Sequence, residues 1–233
     1  MAASRDTSEQ DGLRNRKRRQ LRQTLSDTAA TLFIEKGFEA VRVADVAAAC
    51  DVSEKTVYNH FPTKESLVMD RLEATSAALR TALSDRTVAP VDAMLAMLDD
   101  ELRKLAGLLV AGGNAAAIRY RRFGDLIRTT PSLRAYQSEM SDRFVSEVAD
   151  VLAERDGHTS PNPATLLAAM VLVGLWRVQS DCLRQRTAPG PAGEPSRPEL
   201  TGRLDIEGLV DQVRDGVSQA AQVARGALRQ LEQ

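Results

Sequence analysis

The sequence predicts an all-α protein: a three-helix N-terminal domain, then a larger helical bundle, about nine helices in total. Three observations lead there. Apolar residues make up 43% of the 233 and aromatics only 4%, and the Ala, Leu, Arg and Glu content favours helix over strand. Apolar positions recur three and four apart along most of the chain, with none of the two-residue alternation of a half-buried strand. Breakers fall at helix-length intervals, at Gly37, Pro62, Pro90, Gly112-Gly113, Pro131 and 157–163.

The elements follow in order. Residues 1–13 are small and polar and are expected to be disordered. The first domain spans 14–66. In it Leu25, Ala29, Leu32 and Phe33 form one apolar stripe, ended by Lys36 and a glycine suited to a left-handed cap. Val43, Val46, Ala47 and Cys50 repeat the spacing over barely two turns. Ser53 is a good N-cap for another short helix, with Val52 and Val57 spaced as a hydrophobic staple. Pro62 closes that helix and Thr63 can cap the next. From Lys64, the residues Leu67, Val68, Leu72, Leu79 and Leu83 mark a longer helix, broken near Pro90. The second domain, 67–233, continues with helices at about 91–110, 114–129, 132–156, 163–186 and 204–231. Between the last two, 187–200 is rich in proline and glycine and is expected to be a flexible loop.

Charge and composition narrow the function classes. The net charge is −1, yet Arg14, Arg16, Lys17, Arg18, Arg19 and Arg22 lie together with no acid among them. Such a block attracts a polyanion, or is a solvated tail. Cys50 and Cys182 stand far apart in sequence, which fits a reducing cytoplasm better than a disulfide framework. The N-terminus lacks the apolar region of a signal peptide. The most apolar stretch, Leu166–Trp176, is about half a bilayer span, so no membrane association is expected. With two histidines, no glycine-rich phosphate loop, no nucleophile elbow and no paired metal ligands, no enzymatic activity, cofactor or metal is expected either.

Three short helices, the second and third joined by a tight turn, match a helix-turn-helix. The middle helix would hold the third outward, toward a major groove about 12 Å wide. Val57 and Phe61 are the apolar inner positions of that third helix. Its other residues, Glu54, Lys55, Thr56, Tyr58, Asn59 and His60, nearly all hydrogen-bond, as contacts to base edges and phosphates require. Lys64 can neutralise a phosphate, and Arg18, in the basic block, can belong to an arm reaching the backbone or the minor groove.

The stretch 37–67 resembles the DNA-binding domain of the TetR family of bacterial regulators. The resemblance covers roughly residues 20–70 and rests on several fixed offsets: the Lys36-Gly37-Phe38 corner, the Val52-Ser53 turn, the Thr56, Tyr58 and Phe61 helix, and the Lys64-Glu65-Ser66-Leu67 start. It implies a homodimer with two DNA-reading heads on a helical ligand-binding body, usually a repressor of a palindromic operator released by a small molecule. It also implies that Thr56, Tyr58, His60 and Lys64 touch phosphates or base edges. The sequence departs from the family pattern where Arg42 replaces the usual Ser or Thr cap and Asp51 replaces the turn glycine. Arg42 can still meet a phosphate through its charge. A helical interaction protein that has lost DNA binding, or an activator on the same scaffold, are the alternatives.

For the body, Ile206, Val210, Val213, Val217, Ala220, Ala224, Ala227 and Leu231 alternate four and three apart, the repeat of a helix packing along another. Paired with 163–186, where Leu175 and Val178 lie, two copies would form a four-helix dimer interface, or the seam packs only within one chain. Met94, Met97, Phe123, Met140, Phe144, Met170 and Trp176 are apolar candidates for an effector pocket, and Arg119 can grip an anion. Residues 121–134 and 153–157 resemble the C-terminal domain of regulators thought to bind acyl-CoA-like molecules.

Overall fold

The computed structural model describes residues 3–187 and 205–231, with side chains over 14–70, 74–185 and 205–229. Among these residues there are nine helices and no strand. The chain divides into two compact units, Met1–Asp70 and Arg71–Gln233. The division falls four residues past the boundary suggested by the sequence.

In the first unit, α1 (Ala3–Lys36), α2 (Val43–Ala49), α3 (Glu54–His60) and α4 (Lys64–Val68) enclose a small core. α1 packs on α2 and α4, and α2 packs on α3. Leu25, Ala29 and Phe33 of α1 meet Phe38, Val46, Val57, Phe61 and Leu67, all essentially removed from solvent. Each large side chain contributes about 1.5–3 kcal/mol on burial. Gly37 has φ +85° and donates its N–H to the Phe33 carbonyl (3.0 Å), a left-handed cap that turns the chain toward α2. Asp51 takes the same left-handed region at φ 54° in the α2–α3 turn, where an Asp is tolerated better than most residues.

The structure corrects two expectations here. Residues 3–13 are helical rather than disordered: the stretch has no proline and a single glycine, Gly12, so nothing in it stops α1 from extending. The helix expected from Lys64 to Leu83 is interrupted at Met69, giving α4 and then α5 (Asp70–Ser84). Ser66, Leu67, Val68 and Met69 are all buried. Four successive residues cover every side of a helix turning about 100° per residue, so the chain bends at Met69 to bury them.

In the second unit, α6 (Pro90–Thr129), α7 (Pro131–Arg155), α8 (Pro163–Thr187) and α9 (Ile206–Leu231) follow α5. α8 lies between α7 and α9, and α6 contacts all three. Pro90 and Pro131 open their helices, where the missing N–H costs nothing. The two helices expected at 91–110 and 114–129 both lie within α6 and are separated where expected, at Gly113, whose backbone is non-helical (φ 56°, ψ −149°). The apolar run of α8 is also longer than expected, since 163–185 has the length and composition of a bilayer span. Here Ala169, Leu172, Val173, Leu175, Trp176, Gln179 and Leu183 are buried in the bundle, as in a core helix.

α9 runs antiparallel to α6, pinned by Arg214 to Asp99 (2.7 Å) and Arg225 to Asp92 (2.5 Å). Its buried line is Leu209, Val210, Val213, Val217, Ala221 and Ala224. The expected seam ran through Ala220 and Ala227, which are half-buried and exposed. An unsupercoiled helix of 3.6 residues per turn drifts away from a strict 3.5 repeat. A Cβ on Gly216 would sit 3.0 Å from the Cys182 sulfur, so α8 and α9 approach closely at that point. The side chains of Leu72 and Leu231, and most of the loop expected at 187–200, lie outside the described residues.

Candidate nucleic-acid interface

α3 is held at both ends before it can present anything. At its start Ser53 accepts a hydrogen bond from the Thr56 N–H (3.1 Å), and the two hydroxyls pair at 2.8 Å. The buried side chains of Val57 and Phe61 anchor the helix to the core, leaving Glu54, Lys55, Tyr58 and Asn59 exposed. Tyr58 is 49% exposed, unusual for a large aromatic with no function at the surface. Thr56 and His60 are half-buried at the edges of this face.

The remaining candidates surround it. Arg42 is exposed just ahead of α2; its side chain makes no cap hydrogen bond, and the helix start is tied from the other side by Asp45, whose carboxylate accepts from the Arg42 N–H (2.8 Å) and guanidinium (3.3 Å). Those bonds, the backbone one first, lower the Asp45 pKa. Asp45 was missed in the sequence, although an acid three residues after the cap position is the signal for it. Lys64 is half-buried, its ammonium 4.2 Å from the Phe38 ring centroid and 5.7 Å from that of Phe33. Arg18 is exposed and close enough to His60 to act on it. Burial first, and then the charges of Arg18 and Arg22, hold the His60 pKa below its usual 6.5. The ring therefore favours its neutral form, with both a donor and an acceptor nitrogen.

Arg22 differs from its neighbours in the basic block. Arg14, Arg16, Lys17, Arg18 and Arg19 are exposed, whereas Arg22 folds back onto Asp70 (2.7 Å) and the His60 carbonyl (2.5 Å) and stacks over the Phe61 ring at 4.2 Å. Sequence alone grouped it with the arm.

In the body, the candidate effector residues differ in burial. Met94, Met97, Met140, Phe144 and Trp176 are buried in the core, with Phe144 and Trp176 edge-to-face at 5.3 Å. Phe123 is half-buried, while Arg119 and Met170 are exposed. A cleft of about 530 Å³ lies elsewhere, between the starts of α6 and α8 and the ends of α7 and α9, and includes Val91, Asp92, Leu172, Arg225 and Arg229. Of the candidate interface residues, Leu175, Val210, Val213, Val217 and Ala224 are buried within the chain, and Val178 and Ala220 are half-buried. The first five are packed inside their own bundle, whereas Val178 and Ala220 keep part of their surface exposed. Apolar residues exposed on the body include Leu166, Leu167 and Met170 on α8, Val223 on α9, and Leu108 and Val110 on α6. Among the described residues no three His, Cys, Asp or Glu side chains gather as a metal site, and both cysteines are free thiols.

A capped reading helix, thrust outward by a buried apolar pair and flanked by basic residues, belongs to the helix-turn-helix class of DNA-binding proteins. Residues 25–70 match the model of the bacterial regulatory proteins of the tetR family. The chain is 30% identical over 141 residues to the transcriptional repressor Rv3405c of Mycobacterium tuberculosis, covering 60% of this chain and 72% of that protein. It is 29% identical over 157 residues to the transcriptional regulator TcmR of Streptomyces glaucescens, covering 66% and 69%. Among solved structures, Salmonella enterica GusR aligns over 87% of this chain and 95% of its own at 16% identity, with a TM-score of 0.45. The chain belongs to the tetR family of bacterial regulatory proteins and is a DNA-binding transcriptional regulator.

Proposed function

We propose that this regulator is a ligand-responsive repressor, acting in the cytoplasm as a homodimer on a palindromic operator and carrying out no catalysis. The observation that carries the DNA-reading part is the outward face of α3, where Lys55, Tyr58 and Asn59 stand exposed between half-buried Thr56 and His60. Lys64, Arg42 and Arg18 supply phosphate contacts beside it.

The second copy docks on the outer face of α8 and α9. Cys182 meets Gly216 while Ala168 and Arg225 line one cleft, so the two helices run antiparallel with Met170 and Val223 at similar heights. Met170 (51% exposed), Val223 (74%), Leu166 and Leu167 then form the apolar centre of a two-fold contact. A small-molecule effector, with acyl-CoA-like molecules the first class to try, binds in the body. The cleft, within the usual volume range for small ligands, supports this better than the close-packed methionine and aromatic residues.

The test is a gel-shift titration against duplex DNA flanking the protein's own gene, at two salt concentrations, with and without acyl-CoA. Sequence-specific binding with a two-fold footprint, weakened by the ligand, is the expected result. Binding that is weak, unspecific and erased by salt would refute the operator-reading role, and specific binding indifferent to acyl-CoA would refute that effector class.

A further inference from the structure

Arg22 stands in a block whose other cations are exposed, yet it is bound on three sides. Its Nε and Nη2 both lie 2.7 Å from one carboxylate oxygen of Asp70. Its Nη1 donates to the His60 carbonyl at 2.5 Å. The guanidinium plane lies over the Phe61 ring, 4.2 Å from the centroid. His60 is the last residue of α3, and its carbonyl is one of the acceptors that a helix leaves without an intrahelical partner. A fixed cation there satisfies the acceptor and complements the negative end of the helix dipole. Phe61, fully buried, is the anchor on which α3 pivots.

From these contacts we infer that Arg22 is a positioning residue for DNA reading: it clamps the C-terminal end of α3, and its charge is spent inside the head rather than on a phosphate. Asp70 completes the clamp by fixing the guanidinium in place and neutralising it. α3 has seven residues, about 10 Å of helix. Ser53 caps its start, and Arg22 ties down its end. With the far tie removed, the side chains of Tyr58 and Asn59 keep their chemistry but lose their register on the base edges. This role rests on the DNA-reading function of the head.

The sign of the Asp70 effect separates a clamp from a phosphate contact. The probes are a duplex selected by the wild-type chain from a randomised pool, and poly(dI·dC) as non-specific DNA. Arg22→Met, Arg22→Lys and Asp70→Asn are titrated at several salt concentrations, and each is melted to establish that it is folded at the temperature used. The expected result for Arg22→Met is a fall in the specific-to-non-specific affinity ratio of about tenfold, the loss of one well-made base contact, with the salt slope unchanged. Arg22→Lys, able to reach fewer partners at once, is expected to fall between. Asp70→Asn is expected to lower the ratio as well. If Arg22 contacts a phosphate instead, Arg22→Met lowers both affinities alike and flattens the salt slope by about one. In that case Asp70→Asn, which removes a negative charge, tightens binding, and the clamp is overturned. Should Arg22→Met fail to fold, the Asp70→Asn and Arg22→Lys results decide by the same signs. A wild-type chain that selects no duplex at all would overturn the DNA-reading function and this role with it.

Discussion

Val213→Asp and Met170→Asp place charges on neighbouring helices, and the structure assigns them opposite consequences. Val213 is fully buried on α9. The substitution forfeits about 1.5–3 kcal/mol of apolar burial. It also leaves a carboxyl group among apolar side chains, at a further cost of about 2 kcal/mol or more even if the group stays protonated. The sum, roughly 4–5 kcal/mol, is a large part of the 5–15 kcal/mol that typically holds a domain together. For a body of this size each kcal/mol shifts Tm by about 2–4 °C, so a fall of roughly 8–20 °C is expected. Met170 is half exposed, and its replacement leaves the bundle intact. Met170→Asp is therefore expected to give a folded monomer whose Tm no longer depends on protein concentration. Sedimentation velocity and scanning calorimetry at two concentrations read both effects. A well-folded Val213→Asp monomer with an unchanged Tm would refute the intrachain assignment of the α9 seam. A Met170→Asp protein that still sediments as a dimer would refute the outer-face interface.

Tyr58→Ala and Lys64→Ala are expected to weaken DNA binding without unfolding the head. The second should also reduce the slope of log K against log salt by about one, and an unaltered slope would show that Lys64 touches no phosphate. Ser53→Ala removes the α3 cap and is expected to cost about 1 kcal/mol, read as a lower denaturation midpoint, whereas Ser53→Gly should lose only a few tenths. His60 has a folded pKa below its unfolded value of 6.5, so its contribution to stability is complete above that pH and declines as pH falls toward the folded pKa. A DNA phosphate nearby favours the protonated ring, so binding is expected to take up a proton and strengthen across the same window. His60→Gln should flatten both pH profiles, and an unchanged profile would assign the dependence to another group.

Most of the head was legible in the sequence, because its determinants are local. A cap, its partner and the helix end they define lie within four residues of each other, as with Ser53 and Thr56 at the start of α3 or Gly37 and Phe33 at the end of α1. Burial of Val57 and Phe61 follows from their i, i+4 spacing on a short helix whose other residues are polar. The family resemblance carried by the same stretch depends on those offsets, so class and function could be read together. The body offered less. Its helices were visible from period and breakers, but an apolar residue reads the same whether it faces its own bundle, a cavity or a second chain. Met94 and Met170 were indistinguishable as candidates, and one is buried while the other is exposed.

What the sequence determined by itself, then, was the helical class, the order of the elements, and a DNA-reading helix with its caps. All of these arise from interactions a few residues long. The tertiary structure alone decided which face of α9 is covered, where the cleft lies, and that Arg22 turns inward while its basic neighbours stay in solvent. Those outcomes depend on partners far away in sequence, such as Asp70 for Arg22, 48 residues on, and Asp99 for Arg214, 115 residues back. Local pattern cannot encode such a pairing, because its energy exists only once the helices have packed.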